Sequence, residues 1–187
     1  VDATNKVIAQ NKHLLCLRDL NLTDYLEQMI DAGVTSFKIE GRLKPIDYVE
    51  NVTAHYRQEI DKILKKKKDF SRSSYGKTTC GFKPNVNKSF NRGFTSYIIG
   101  GDAGYANPGS PKSLGEKIGQ VEMVGRNHFT LNTNTSFTPN DGICFYSEGV
   151  LMGTNINHFS AGKIYPNKLQ GIAKGMTVYR NHDEGFL

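Results

Sequence analysis

The spacing of apolar residues changes along this chain, and the change limits the folds that it can adopt. Up to about residue 65, apolar side chains recur every three or four positions, interrupted by short apolar runs. Beyond about residue 93, apolar and polar side chains alternate. The first spacing is typical of amphipathic helices and the second of β-strands with one buried face. The sequence therefore predicts an α/β part followed by a part built mainly from β-strands.

The α/β part is expected to contain two strands, each followed by a helix. Apolar runs at residues 13–17 and 34–40 predict the strands, because strands buried on both faces are apolar throughout. The first helix is expected to follow an N-cap at Asn21 and to end at Gly33, and the second begins near Pro45. This alternation indicates parallel pairing. Because two parallel strands do not form a stable sheet alone, we expect this stretch to be the end of something larger.

Charged residues occupy the end of the second predicted strand. Lys38 and Glu40 share one face of that strand, and Arg42 follows at its carboxyl end. Charges on a parallel strand are costly unless they are paired or face a solvent-filled opening, and α/β folds build their sites at this end. The sequence leaves two interpretations open: a pocket in which Lys38, Glu40 and Arg42 hold an anionic or polar ligand, or a plain Lys–Glu ion pair. A protease-cleavage tag at residues 39–42 is disfavoured, because these residues lie inside a strand pattern.

Two segments of the α/β part resemble the collagenase-like peptidases of family U32. Members of the family carry a KIEGR strand end, which residues 38–42 match, and a helix start with Pro, Tyr and Val, which residues 45–49 match. The resemblance covers roughly residues 13–65, and residues 90–95 also resemble a family segment. One departure is Lys44, where a helix-capping serine is expected.

The resemblance implies that residues 1–66 are the last two βα units of a (β/α)-barrel-like catalytic domain. The cysteine signature of the family lies upstream of this segment, and some relatives bind an iron–sulfur cluster there. We therefore expect no cofactor in this chain, and we expect the missing N-terminal part of the same protein to be its partner. Cys16, Cys80 and Cys144 are too few and too scattered for a metal site or a disulfide scaffold.

The remaining residues predict a linker and an accessory domain. Residues 67–92 read as a polar linker, because periodicity disappears and Ser, Gly and Pro recur. Residues 93–187 predict five to seven short strands that close into a small antiparallel β-barrel, since closure removes exposed strand edges. Within the barrel we expect Cys144 in the core, and we interpret His128 and His158 as surface or hydrogen-bonded residues rather than ligands.

Charge is distributed unevenly, which raises the possibility of an RNA partner. The net charge is +6, of which residues 71–187 contribute +5. The candidate RNA contacts are Arg92, Lys117, Lys163, Lys168 and Arg180, with five nearby tyrosines, Tyr97, Tyr105, Tyr146, Tyr165 and Tyr179, as stacking partners. An ordinary basic surface and tyrosines that fill the barrel are the alternative. No apolar run approaches the roughly 20 residues of a membrane helix, and the scarcity of cysteine favours a cytoplasmic setting.

Three functions remain open on these grounds. The first is an inactive C-terminal fragment of a U32-type peptidase that supplies part of the active-site mouth and an accessory barrel. The second, an alternative that the resemblance also allows, is the RNA-binding part of an enzyme that hydroxylates ribosomal or transfer RNA. The third is a purely structural accessory domain. Peptide and RNA are therefore both candidate substrates.

Overall fold

The computed structural model describes residues 2–101 and 103–186, which form a small α/β part and a closed β-barrel. The α/β part contains β1 (Asp19–Leu20), α1 (Leu26–Asp31), α2 (Ile46–Leu64) and β2 (Phe94–Thr95). The barrel contains β3 (Glu116–Val124), β4 (Phe129–Leu131), β5 (Gly142–Ser147), β6 (Val150–Ser160), β7 (Lys163–Pro166) and β8 (Thr177–His182). Neither described helix has the length and apolar content needed to cross a lipid bilayer.

The barrel confirms the prediction made from the alternating pattern. Its six strands are antiparallel and close in the order β3-β4-β7-β6-β5-β8. Apolar side chains from all six strands meet inside, and burying each one completely contributes about 1.5–3 kcal/mol. The core contains Val121, Phe129, Leu131, Phe137, Ile143, Phe145, Ile156, Ile164, Ile172 and Val178.

Cys144 is buried on the other face of β5, where residues 113–114 cover it. Its thiol contacts the backbone oxygens of Ser113 and Leu114 at 3.8 and 3.5 Å. This burial raises the pKa of the Cys144 thiol to about 12. Cys144 is therefore buried as expected, but beneath residues 113–114 and not in the core inside the barrel.

The helices lie close to the predicted positions, but Asn21 is not an N-cap: the N-cap of the 3-10 turn is Leu22 and that of α1 is Tyr25. The side-chain oxygen of Asn21 accepts hydrogen bonds from the backbone N–H and the hydroxyl of Thr23, which opens a single 3-10 turn that leads into α1. Gly33 follows α1 with φ at +94°, a conformation that glycine adopts without strain. Pro45 precedes the first residue of α2, where its missing N–H leaves no helical hydrogen bond unmade.

The two strands predicted from residues 13–17 and 34–40 are wrong for this chain. Neither run forms a strand, and the one parallel pairing between described strands joins β1 to β2. Leu15 is 97% exposed, and Leu17 makes only an isolated bridge to Ala106. A buried parallel strand needs a neighbouring strand on each side, and the described residues supply none to these runs.

The segment between α2 and the barrel is anchored at its far end. The buried amide of Asn51, on α2, accepts a hydrogen bond from the backbone N–H of Asn85 and donates to the Asn85 carbonyl and the Ser89 hydroxyl. Lys88 forms an ion pair with Asp183, close to the end of the barrel. Residues 85–89 therefore connect α2 to the barrel, although the boundaries of the linker remain a prediction.

Candidate functional site

A cleft opens between the two helices and the extended segment that precedes α2. Its volume is about 410 Å³, which lies within the range of small-molecule sites. We call it the α1–α2 cleft. It is lined by Asp19, Leu20, Leu22, Leu26, Met29, Ser36, Phe37, Lys38, Ile39, Glu40, Tyr48, Val52 and Tyr56.

Two of the three predicted pocket residues meet at the rim of this cleft. The Nζ atom of Lys38 lies 2.6 Å from a carboxylate oxygen of Glu40, and the two side chains are 84% and 71% exposed. The hydrogen bond from Lys38 to Glu40 raises the pKa of the Lys38 ammonium. The pair thus offers a cation and an acceptor to solvent. Arg42 is exposed in the next turn, in which the Lys44 N–H donates to the Gly41 carbonyl.

Arg92, a candidate RNA contact, is bound to Asp19 beside the cleft. Its Nη2 and Nε atoms donate to the two carboxylate oxygens of Asp19 at 2.8 and 3.1 Å, and its backbone N–H donates at 2.7 Å. This bidentate pairing raises the pKa of the Arg92 guanidinium. The contact joins the segment that leads into β2 to β1. The carboxylate of Asp19 is therefore held rigidly at the cleft wall.

Lys44 approaches the same cluster from the start of α2. Its Nζ atom lies 3.0 Å from the centre of the Phe90 ring, a cation–π contact. Burial lowers the pKa of the Lys44 ammonium, although Asp19 partly offsets the effect. Asp19 and Lys44 were missed as site residues in the sequence. Asp19 lies two residues beyond the apolar run at 13–17, and a charge near the end of a predicted strand is the signal that also identified Glu40.

Arg180 is an internal ion-pair residue and not an exposed cation. It is 7% exposed, and its guanidinium contacts the carboxylates of Glu116, Asp141 and Asp183 at 2.9, 3.4 and 2.9 Å. Asp141 is completely buried. These partners occupy the guanidinium, which leaves Arg180 little capacity to contact RNA.

The other candidate RNA contacts are exposed, but they do not form one patch. Lys117 lies on β3 opposite Tyr179, whereas Lys163 begins β7 opposite Thr130. Lys168 follows β7, and its backbone N–H donates to the Thr154 hydroxyl. Because β3 meets β8 on one side of the closed barrel and β7 meets β4 on another, Lys117 lies apart from Lys163.

The described residues do not provide a set of metal ligands. Within residues 2–101 and 103–186, no group of three or more His, Cys, Asp or Glu side chains could hold a metal ion. The Cys144 thiol is enclosed by backbone oxygens, and the Cys16 thiol contacts the Ser110 carbonyl at 3.5 Å. An iron–sulfur cluster therefore does not fit these side chains.

Comparison with known proteins relates both parts of the chain to one family. The model of peptidase family U32 matches residues 2–107. The chain is 36% identical over 176 residues to the "23S rRNA 5-hydroxycytidine C2501 synthase" of Escherichia coli, an alignment that covers 90% of this chain and 27% of that protein. It is also 40% identical over 58 residues to "tRNA hydroxylation protein P2" of Bacillus subtilis, covering 31% of this chain and 19% of the relative.

A third relative comes from the peptidase side of the family. A "Collagenase" of Porphyromonas gingivalis is 30% identical over 93 residues, which cover 49% of this chain and 24% of that protein. The chain thus spans about a quarter of the length of the first of these relatives. No solved structure matches the chain significantly. The family model covers more than half of the residues, including β1, β2, both helices and the α1–α2 cleft, and the chain belongs to peptidase family U32.

Proposed function

We propose that this chain is part of an enzyme that hydroxylates RNA, and that the α1–α2 cleft forms one wall of its substrate site. The observation that carries the proposal is the extent of the similarity. The alignment with the E. coli ribosomal RNA 5-hydroxycytidine synthase covers 90% of the chain and so includes most of the barrel as well as the helices. The alignment with the collagenase covers 49% and cannot include both parts in full.

The exposed apolar side chains of the α/β part support a place within a larger domain. Leu14, Leu15 and Ile39 are 64%, 97% and 38% exposed, and they lie on the two runs whose composition suits buried strands. Strand β1 pairs with β2 on one side. We propose that the rest of a longer protein packs against these runs and completes a (β/α)-barrel, of which residues 1–66 are the last two βα units.

In that arrangement Lys38, Glu40 and Arg42 position the substrate. An ammonium and a guanidinium attract phosphate groups, and a guanidinium can bind two phosphate oxygens at once. The Glu40 carboxylate accepts hydrogen bonds from a ribose hydroxyl or a base amino group. The proposal assigns binding and orientation to these side chains, and it does not assign the oxidation itself to them.

The test is the hydroxylated-nucleoside content of RNA treated with the full-length enzyme and its variants. Glu40→Ala and Arg42→Ala are each expected to lower product formation at least about tenfold, the loss of one good charge-assisted contact. Glu50→Ala, an exposed carboxylate on α2, is the matched control and is expected to keep full activity. Circular dichroism should show all three variants folded, because exposed ion pairs contribute little to stability.

Three results would contradict the proposal, each at a different point. Full activity in both the Glu40 and the Arg42 variants would remove the cleft from the substrate site while leaving RNA hydroxylation in place. Peptide hydrolysis by a wild-type enzyme that forms no hydroxylated nucleoside would favour the peptidase interpretation. Silence in both assays, together with loss of stability of the longer protein on truncation, would favour a structural accessory domain.

A further inference from the structure

Three aromatic rings lie in a row across neighbouring strands of the barrel. His158 on β6 is paired with Tyr165 on β7, and His128 immediately precedes Phe129, whose partner on β7 is Ile164. The centre of the Tyr165 ring lies 5.4 Å from that of His128 and 5.6 Å from that of His158. We call these three residues the ring row. The row is a consequence of strand register, so it cannot be read from any one strand.

The ring row faces out of the barrel. Phe129 and Ile164 point into the core, where they are 0% and 1% exposed, and neighbouring residues of a strand point to opposite faces. The His158 side chain is exposed, and those of His128 and Tyr165 are half-buried. Aromatic rings at a strand surface usually pack into the core or under a loop. This row instead lies at the surface of a barrel whose interior is already filled.

The turn before β4 fixes one end of the row. A Cβ atom at Gly125 would lie 2.6 Å from the His128 ring, so any larger residue would displace the imidazole. The Gly125 N–H also donates to the His128 carbonyl at 2.8 Å, which closes the turn. The ring is thus held in place before any ligand arrives, which lowers the entropic cost of binding.

The strands that carry the ring row contain no carboxylates. Residues 123–140 and 149–182, which include β4, β6, β7 and β8, contain no Asp or Glu. The same stretches contain four exposed cations, Arg126, Lys163, Lys168 and Lys174. Lys163 is two residues from Tyr165 on β7 and therefore shares its outward face. This charge distribution favours a polyanion, and the nearest exposed carboxylate on a neighbouring strand is that of Glu122 on β3.

We propose that the ring row binds single-stranded RNA, with bases stacked on Tyr165 and His158 and phosphates held by Lys163 and Arg126. This inference rests on the proposed function and adds to it a surface that binds the RNA substrate. Stacking on aromatic rings requires bases that are not already paired, which favours a single strand over a duplex.

Fluorescence anisotropy with a labelled single-stranded RNA of about 12 nucleotides tests the proposal, a length within the range that single-strand-binding domains cover. Tyr165→Leu in the 187-residue chain is expected to weaken binding at least about fivefold, because it removes the stacking surface and keeps apolar bulk. Tyr165→Phe should bind like the wild type. Tyr75→Leu, which changes a tyrosine that is 99% exposed and outside the barrel, is the matched control and should also bind like the wild type.

Two further variants separate stacking from charge and from folding. Lys163→Gln is expected to lower the slope of log affinity against log salt by about one, as for the loss of one phosphate contact. His158→Ala changes an exposed side chain, so it should weaken binding without lowering the melting temperature. A duplex of the same length should bind more weakly than the single strand.

The outcomes separate this inference from the proposed function. Salt-dependent RNA binding that Tyr165→Leu and His158→Ala leave unchanged would place the contact elsewhere and overturn the ring row alone. No RNA binding by the wild-type chain would overturn it as well. If the ring-row variants weaken binding and the full-length enzyme nevertheless forms no hydroxylated nucleoside, the RNA surface stands and the proposed hydroxylation fails.

Discussion

Arg180 illustrates which properties of a residue can be predicted from the sequence and which only the structure shows. Its positive charge is visible in the sequence, which makes it a candidate RNA contact. Its partners are Asp141, 39 positions earlier, and Glu116, 64 positions earlier, together with the nearby Asp183. Only the closed barrel brings these carboxylates together, so the sequence alone could not show that the charge is internal. The same limit hid the Asp19–Arg92 pair, whose members are 73 residues apart.

The ion-pair cluster around Arg180 predicts that replacing Arg180 lowers the free energy of unfolding far more than replacing Lys117, another basic residue of the barrel. Arg180→Met leaves Asp141 buried without its cation, and we expect the free energy of unfolding to fall by about 3–5 kcal/mol. Lys117→Met changes an exposed side chain one strand away and should alter it by less than about 0.5 kcal/mol. Urea unfolding followed by circular dichroism measures both. Equal losses in the two variants would show that Arg180 does not hold the barrel together.

At the scale of elements, the predictions from sequence are correct for the helices and strands whose packing partners lie within the chain. The helix after Pro45 and the alternating strands beyond residue 115 are confirmed, because their apolar faces pack on residues that the chain itself supplies. The runs at 13–17 and 34–40 have the right composition for buried strands, yet they remain irregular because the described residues provide no strand to pair with them. The composition of a segment indicates which secondary structure it can adopt, and the presence of strands beside it decides whether that structure forms.

The contact between α2 and the 3-10 turn before α1 predicts a pH dependence of stability. His55 on α2 shares a hydrogen bond of 3.0 Å with the Thr23 hydroxyl. Burial lowers the pKa of His55, and the opposing effect of Glu59 is smaller. The unfolded chain, in which the pKa is about 6.5, therefore takes up a proton before the folded chain as the pH falls.

We accordingly expect the free energy of unfolding to be unaffected by this group above about pH 6.5 and to decline as the pH falls through the lower folded pKa. His55→Gln, which has no charge at any of these values, should remove that part of the decline. His158→Gln, on the barrel surface, should leave the part of the decline that His55 causes unchanged. Urea titrations between about pH 7 and 5 provide the measurement, and an identical pH dependence in the wild type and His55→Gln would contradict the assignment.

At the scale of the whole molecule, the sequence predicted two structural parts and did not predict how they are joined. Asn51 reaches from α2 to residues 85–89, and Lys88 continues the connection to Asp183. Strand β2 lies beyond the predicted linker and pairs with β1, so the chain returns to the α/β part before the barrel begins. Because these contacts join positions distant in sequence, periodicity could not indicate them. These contacts connect the α/β part, which contains the cleft, to the barrel.

The most direct test of the account is nucleoside mass spectrometry of RNA from cells that lack their own hydroxylating enzyme and produce the full-length protein. We predict a hydroxylated pyrimidine nucleoside with the wild-type protein, and at least about tenfold less of it when Glu40 or Arg42 is replaced by alanine. RNA without any hydroxylated nucleoside, from cells in which the wild-type protein is folded and abundant, would contradict the central claim.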